Sequence, residues 1–386
     1  MTENLTVAAL SEAQLIARFA PLLNAGWPET DGDWAEPDGG GAESGGPYQI
    51  LGPGDDCAVV AAPDRRFVIS TDTQVEGQDF ELQWPSGFRS SGLDTGHKCA
   101  TQNLADAAAM GAVPSSLVVS LTLPSTTPVQ WVEDFARGLR AGMVACGADR
   151  CRVVGGDLGA GREISVTATV TGDLQGRAPV RRNGAQPGDV VVLAGTVGRA
   201  AAGLEILRES AYRPGDNAAV DALVQSQLRP VTPVQLGAEL ARCGATSMID
   251  VSDGLVRDAS RVARASGVEM VLDPHALEAL ARELQPAARL TGRDPLYWVL
   301  NGGEDHGLLS TVPPHHQLPD GVRPLGSVRA AAKGWPTASA APTAAASEPG
   351  SAAAQQPVWV ANTPVSQLPE GVRGQGWDHF ESEDGF

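Results

Sequence analysis

The stretch KCATQNLADAAAMGAVPSSLVVSLTLP, residues 98–124, holds both halves of the pattern that decides the fold. Its first part is alanine-rich, with apolar residues at helical spacing, and predicts a helix over 93–111. Beyond Gly111 the composition turns to Val, Leu, Ser and Thr, which predicts a strand over 117–123. Working outward, the same alternation recurs. Strands are expected at 67–70, 151–154, 164–171, 190–194, 247–251, 297–300 and 307–311, and helices at 129–146, 198–208, 233–243 and 253–266. Such an alternation predicts an α/β (α+β) class.

Upstream, SEAQ at 11–14 reads as a capping box that opens a helix through Leu15, Phe19, Leu22 and Leu23. Residues 26–47 and 331–357 are rich in Gly, Pro, Ser, Thr or Ala, lack apolar periodicity, and are expected to be flexible insertions. The turn GAQPGD at 184–189 leads into a new strand and marks a second half. The expected domains are 1–175 and 176–386. A chain of 386 residues is long enough for two or three of them.

Twenty-eight basic against 46 acidic residues give a net charge of −18, which argues against nucleic acid and anionic membranes as partners. No run is long enough to span a bilayer, and the N-terminus has no basic and apolar leader, so a cytoplasmic location is expected. The five cysteines, Cys57, Cys99, Cys146, Cys151 and Cys243, form no CxxC pair and read as reduced. Lys98 and Lys333 are the only lysines. An acidic protein that handles phosphorylated substrates must therefore neutralise them with divalent cations on carboxylates and with a few arginines.

The carboxylates fall in a suggestive place. Asp55 and Asp56 follow a Gly-Pro-Gly turn, and Asp72, Asp157 and Asp250 are expected at strand ends, with Glu304 and Asp305 after a double glycine. Ligands collect at such ends in open sheets, although aspartate is also common in turns and caps. Asp106 lies inside the alanine-rich helix, where helical spacing groups it with Gln102 and Asn103 on a polar stripe facing either solvent or a metal. In DVSDG, residues 250–254, Ser252 or Asp253 reads as a helix cap, which leaves Asp250 unexplained. No P-loop, no protein-kinase motif set and no GxGxxG at a strand–helix junction is present.

Eight strings in order resemble the thiamine-monophosphate kinase family, part of a superfamily with aminoimidazole-ribonucleotide synthetase and selenophosphate synthetase. They are GPGDDCAVV (52–60), STDTQVEGQDF (70–80), the opening stretch (98–124), VVGGDLGAG (153–161), RRNGAQPGDVVVLAGTVGRAAAGLEIL (181–207), MIDVSDGLVRDASRVARASGV (248–268), NGGEDHGLL (301–309) and GWDHF (376–380). The resemblance implies a two-domain aminoimidazole-ribonucleotide synthetase-like fold whose N-terminal domain contributes to a dimeric β-barrel. It implies ATP-dependent, in-line phosphorylation of thiamine monophosphate to thiamine diphosphate by a homodimer. The implied ligands of several Mg²⁺ ions are Asp56, Ser70, Thr71, Asp72, Asp106, Asp157, Asp250 and Asp253. Of these, Asp56, Asp72, Asp106, Asp157 and Asp250 would carry the catalysis. Gly156, Asp157, Arg182 and Ser252 would contact ATP, and Asp79, Glu304 and Trp377 would face the thiamine substrate.

Three motifs depart from the family pattern. Asp79 stands where the family has a histidine before Phe80, GGDT becomes GGDL at 155–158, and GGEDYEL becomes GGEDHGL at 302–308. The alternatives are another ATP-dependent enzyme of the superfamily and a non-catalytic metal- or nucleotide-binding protein.

Overall fold

A computed structural model describes residues 5–25, 49–51, 57, 59–331, 357–374 and 376. The expectations for 26–47, most of 331–357, Asp56 and Trp377 lie outside the described residues.

The first half runs α1 (Glu12–Leu23), β1 (Gln49–Leu51), β2 (Val59–Val60), β3 (Val68–Val75), α2 (Gly92–Ala109), β4 (Val113–Leu123), α3 (Val129–Ala145), β5 (Arg152–Ala160) and β6 (Ser165–Asp173). Strands β3-β6-β4-β5 form an open sheet in that order, antiparallel except for the β4–β5 pair. The second half runs β7 (Val190–Ala194), α4 (Arg199–Arg208), α5 (Ala218–Leu228), α6 (Val234–Arg242), β8 (Ser247–Val251), α7 (Leu255–Ser266), β9 (Val268–Leu272), α8 (Pro274–Glu283), α9 (Gln285–Thr291), α10 (Pro295–Asn301), β10 (Gly307–Val312), β11 (Val322–Ala330), β12 (Val358–Val360) and β13 (Thr363–Pro364). Its seven-stranded sheet has the order β13-β12-β9-β11-β7-β10-β8.

Local chemistry starts the helices. Ser11 with Gln14, and Ser91 with Asp94, make reciprocal capping boxes at the heads of α1 and α2. The strand expected at 297–300 is instead part of α10. Asp294 caps it and Pro295 occupies its first turn, so the start signal overrides a short apolar run that fits either period.

Helices α2 and α3 meet backbone to backbone. A Cβ on Gly92 or Gly96 would overlap the carbonyl of Trp131 or Phe135, and one on Gly138 that of Leu93. Those glycines bring α2 down onto α3 and fix its height over the sheet. The apolar core beneath continues into Val234, Leu240, Met248 and Leu308, so the two halves share a buried boundary. Strand β9 is flanked by β11, which ends with Ala330 opposite Val268, and by β12, which starts with Val358 opposite Met270.

Candidate active site

Strand β3 alternates. Ser70, Asp72 and Gln74 turn toward α2, while Ile69, Thr71 and Thr73 are exposed on the other face. Ser70 Oγ donates to Asp106 Oδ2 at 2.5 Å, and Gln74 Nε2 donates to Gln102 Oε1 at 2.9 Å, so two rungs join β3 to α2. Asp72 lies among them, beside Gln102 and within electrostatic reach of Asp106 and Asp250. Asp250 comes from β8 of the other sheet and is 5% exposed. Its Oδ2 is 3.2 Å from His306 Nδ1, on the loop that leads into β10.

The charges in this cluster are under strain. Burial, then repulsion from Asp250 and Asp72, pushes the Asp106 carboxyl up to about 6. Burial also raises Asp72, with Asp250 adding to it. Burial opposes a charged His306, but the Asp250 hydrogen bond and the surrounding carboxylates outweigh it and raise the imidazole above its ordinary value. Three carboxylates, from β3, α2 and β8, thus face one another with a single histidine for compensation.

The DVSDG loop is not capped as the sequence suggests. The residue heading α7 is Gly254, at φ 118°, without a side-chain cap, and the buried Asp258 carboxylate instead accepts from Asp253 N at 3.0 Å. Ser252 uses its carbonyl to receive Glu304 N at 2.9 Å, and Val251 O receives His306 N at 3.1 Å. These bonds lock the loop before α7 against the loop before β10. A Cβ on Gly303 would strike the Ser252 carbonyl, which explains the double glycine. Asp253 points to Arg261, 2.5 Å away.

A second group adjoins the first. Asp79 and Glu304 line one cavity of about 340 Å³, together with Glu205, Tyr297 and Gly376. Gly376 is the residue before Trp377. Asp79 Oδ2 accepts from Val75 N at 2.8 Å, and Gln227 Nε2 donates to Glu304 Oε2 at 2.6 Å. Asp305 does not join the site. It accepts from Thr196 Oγ1 and from the N–H groups of Arg199 and Ala200, and so caps α4 from more than a hundred residues away.

Other expected residues lie apart within this chain. Thr71 faces outward, its Oγ1 donating to the Ala168 carbonyl. Asp72 and Asp157 are inside strands rather than at their ends. Paired register sets Asp72, Ala168, Val119 and Gly156 in one row, three strand spacings or about 14 Å long. Asp157 is exposed on β5, in the row of Ser120, Thr167 and Thr73. Arg182 is exposed, and its carbonyl receives Ser266 Oγ at the far end of α7 from Asp253. Asn103 is buried, its Nδ2 donating to Cys99 O, and does not belong to the polar stripe.

That stripe is Asp94, Lys98, Gln102 and Asp106, every fourth residue of α2. Its two upper rungs were missed in the sequence, where spacing alone could have found them. Asp94 pairs with Arg229 at 2.6 Å and Lys98 with Glu304 at 2.6 Å. His306 stood out in the sequence only as a departure from the family string, and Gln227 was missed, with no local pattern to mark it.

Among the described residues, no three metal-binding side chains are drawn into one coordination shell. The donor set nonetheless fits a hard divalent cation. It consists of carboxylate and hydroxyl oxygens, and its mutual repulsion is what a bound cation would relieve.

Fold and site together define a class. Family models of the AIR synthase related proteins match this chain at residues 54–174 for the N-terminal domain and 186–319 for the C-terminal domain, which makes it one of them. Within that class the chain belongs to the thiamine-monophosphate kinase family. It is 42% identical over 284 residues to the thiamine-monophosphate kinase of Mycobacterium tuberculosis (strain CDC 1551 / Oshkosh), covering 72% of this chain and 79% of the relative. The Escherichia coli (strain K12) enzyme is 35% identical over 268 residues, 68% of this chain and 76% of that one. A solved structure described as AaThiL complexed with AMPPCP and TMP superposes with a TM-score of 0.64 at 29% identity, over 84% of this chain and 91% of that chain.

Proposed function

We propose that the protein transfers the γ-phosphoryl group of ATP directly to the phosphate of thiamine monophosphate, giving thiamine diphosphate and ADP. The observation that carries this reading is the meeting of Asp72, Asp106 and Asp250 beside the cavity of Asp79 and Glu304. A phosphate monoester has a second pKa of about 6, so the acceptor is already largely ionised at pH 7 and needs little base catalysis. The difficulty is bringing two polyanions together in a half-buried cleft.

Ser70, Asp72, Asp106 and Asp250 would hold Mg²⁺, joined by Asp56, Asp157, Asp253 and the Thr71 main chain. Bound Mg²⁺ supplies charge neutralisation and a template for the phosphates. Within the chain, His306 steadies the Asp250 carboxylate, and the Ser70 hydroxyl and Gln102 orient Asp106 and Asp72. Gly156, Asp157, Arg182 and Ser252 would contact ATP. Glu304, Asp79 and Trp377 would face the cationic thiazolium, whose charge suits an acidic wall.

The working assembly in this reading is a homodimer. The outer face of the four-stranded sheet exposes Ile69 (63%) and Val118 (44%), and β3 and β5 are its edges. A second copy laid on that face would close a β-barrel. It could also carry Gly156 and Asp157 of one edge to Asp72 on the other, across the distance that separates them within one chain. We place the domain boundary at 175/176, between the two sheets. We also place the protein in the cytoplasm, on the support that all five cysteines are unpaired. No helix among the described residues is long and apolar enough to cross a membrane.

The test is thiamine diphosphate formation from thiamine monophosphate, ATP and Mg²⁺, with a chelator control. Chelator-sensitive product supports the reading. ATP binding without product would assign the fold to another acceptor or to a non-catalytic role.

A further inference from the structure

We infer that Lys98 is a positioning residue that holds the two walls of the acceptor cavity, the turn at Asp79 and the loop at Glu304, at a fixed separation. This rests on the reading of that cavity as the thiamine phosphate site. Lys98 is one of two lysines in the chain and is 4% exposed on α2. A buried ammonium is costly unless its donors are satisfied. Here Nζ donates to the Asp79 carbonyl at 2.9 Å and pairs with Glu304 Oε1 at 2.6 Å.

Glu304 needs such a hold. Its backbone is left-handed, at φ 65°, an uncommon conformation for a residue with a side chain. Its carboxylate is shared between two neighbours, Lys98 on Oε1 and Gln227 on Oε2. Burial works to neutralise it, but the Lys98 charge, its hydrogen bond and that of Gln227 keep the carboxyl below its ordinary value. The base of this tether is stiff, because Gly92 and Gly96 seat α2 directly on the α3 backbone. The same helix carries Asp106 two turns further on. One rigid rod therefore sets the place of a phosphate-side carboxylate and, through the ammonium, of a substrate-side carboxylate.

A purely structural ion pair would change stability and leave substrate selectivity alone. A positioning role predicts that Lys98→Met raises the KM for thiamine monophosphate about tenfold or more, with the ATP KM within about twofold of wild type. Acting through Glu304, it also predicts that Lys98→Met/Glu304→Gln loses no more than the worse single variant, since residues in one unit are not additive. The neutral double variant also serves if Lys98→Met fails to fold around an uncompensated Glu304. An unchanged KM for thiamine monophosphate in a folded Lys98→Met enzyme overturns the inference, as do additive losses in the double variant. A wild-type protein that forms no thiamine diphosphate overturns the functional reading and the inference with it. A wild type that does, beside an unaffected Lys98→Met, overturns the inference alone.

Discussion

Glu304 and Asp305 are adjacent acids with separate tasks, one facing the cavity and the other closing the head of α4. Asp305→Ala leaves two N–H groups and the Thr196 hydroxyl without their acceptor, and is expected to cost about 2 kcal/mol, read by chemical denaturation. In the carboxylate cluster, Asp72→Ala is expected to reduce turnover by at least about a hundredfold while the melting temperature holds. Steady-state kinetics with circular dichroism checks this, and near-wild-type activity would remove Asp72 from the site. Asp79→His should alter the thiamine monophosphate KM more than the ATP KM, and equal effects on both would place Asp79 elsewhere. His97 gives the pH prediction. Burial and then the Arg229 charge lower its pKa from 6.5 to about 4, against a smaller opposing effect of Asp94. Between those values the unfolded chain binds more protons, so stability falls as pH drops through this window, by up to about 1.4 kcal/mol per pH unit. His97→Gln should flatten that dependence, and parallel stability curves for the two proteins would contradict it.

Among the elements, the helix pair α2–α3 is the least forgiving. A methyl at Gly96 would run into the Phe135 carbonyl, so Gly96→Ala is expected to destabilise by about 2 kcal/mol and to disturb Lys98 and Asp106 together. Intact stability with intact kinetics would show that the helices can part without consequence. The opening stretch made α2 and β4 readable because its composition switches at Gly111 from alanine-rich to Val, Leu, Ser and Thr, and β7 and β8 were delimited by their turns. Helices α5, α8 and α9, strands β9 and β11 and the short strands β1, β2, β12 and β13 were not foreseen. Strand β9 is buried on both faces and so does not alternate, while α9 buries only Ala287 and β11 only Leu325 and Val328, too few to set a period. Residues 297–300 show the same weakness, since four apolar positions carry no period. The site was legible as a set of aspartates in motifs, but not as contacts. Nothing in the sequence reveals that Asp157 lies three strands from Asp72, or that His306 and Lys98 complete what the aspartates begin.

For the whole molecule, the outer sheet face makes a prediction about assembly. Ile69→Asp with Val118→Asp should yield a monomer by sedimentation, and an unaltered mass would mean that the exposed face is not the contact. The second sheet has a different consequence. The chain leaves β11 at Ala330 and returns in β12 at Val358, on either side of β9 and near its first residues. Two strand spacings, roughly 10 Å, therefore separate the exit from the re-entry. That gap matches the distance between the ends of many compact domains, so the position can serve as a grafting port. A fluorescent protein spliced in there would ride on the second sheet, remote from the α2 ladder. It would report on the enzyme's assembly and location while thiamine diphosphate production continued at its usual rate.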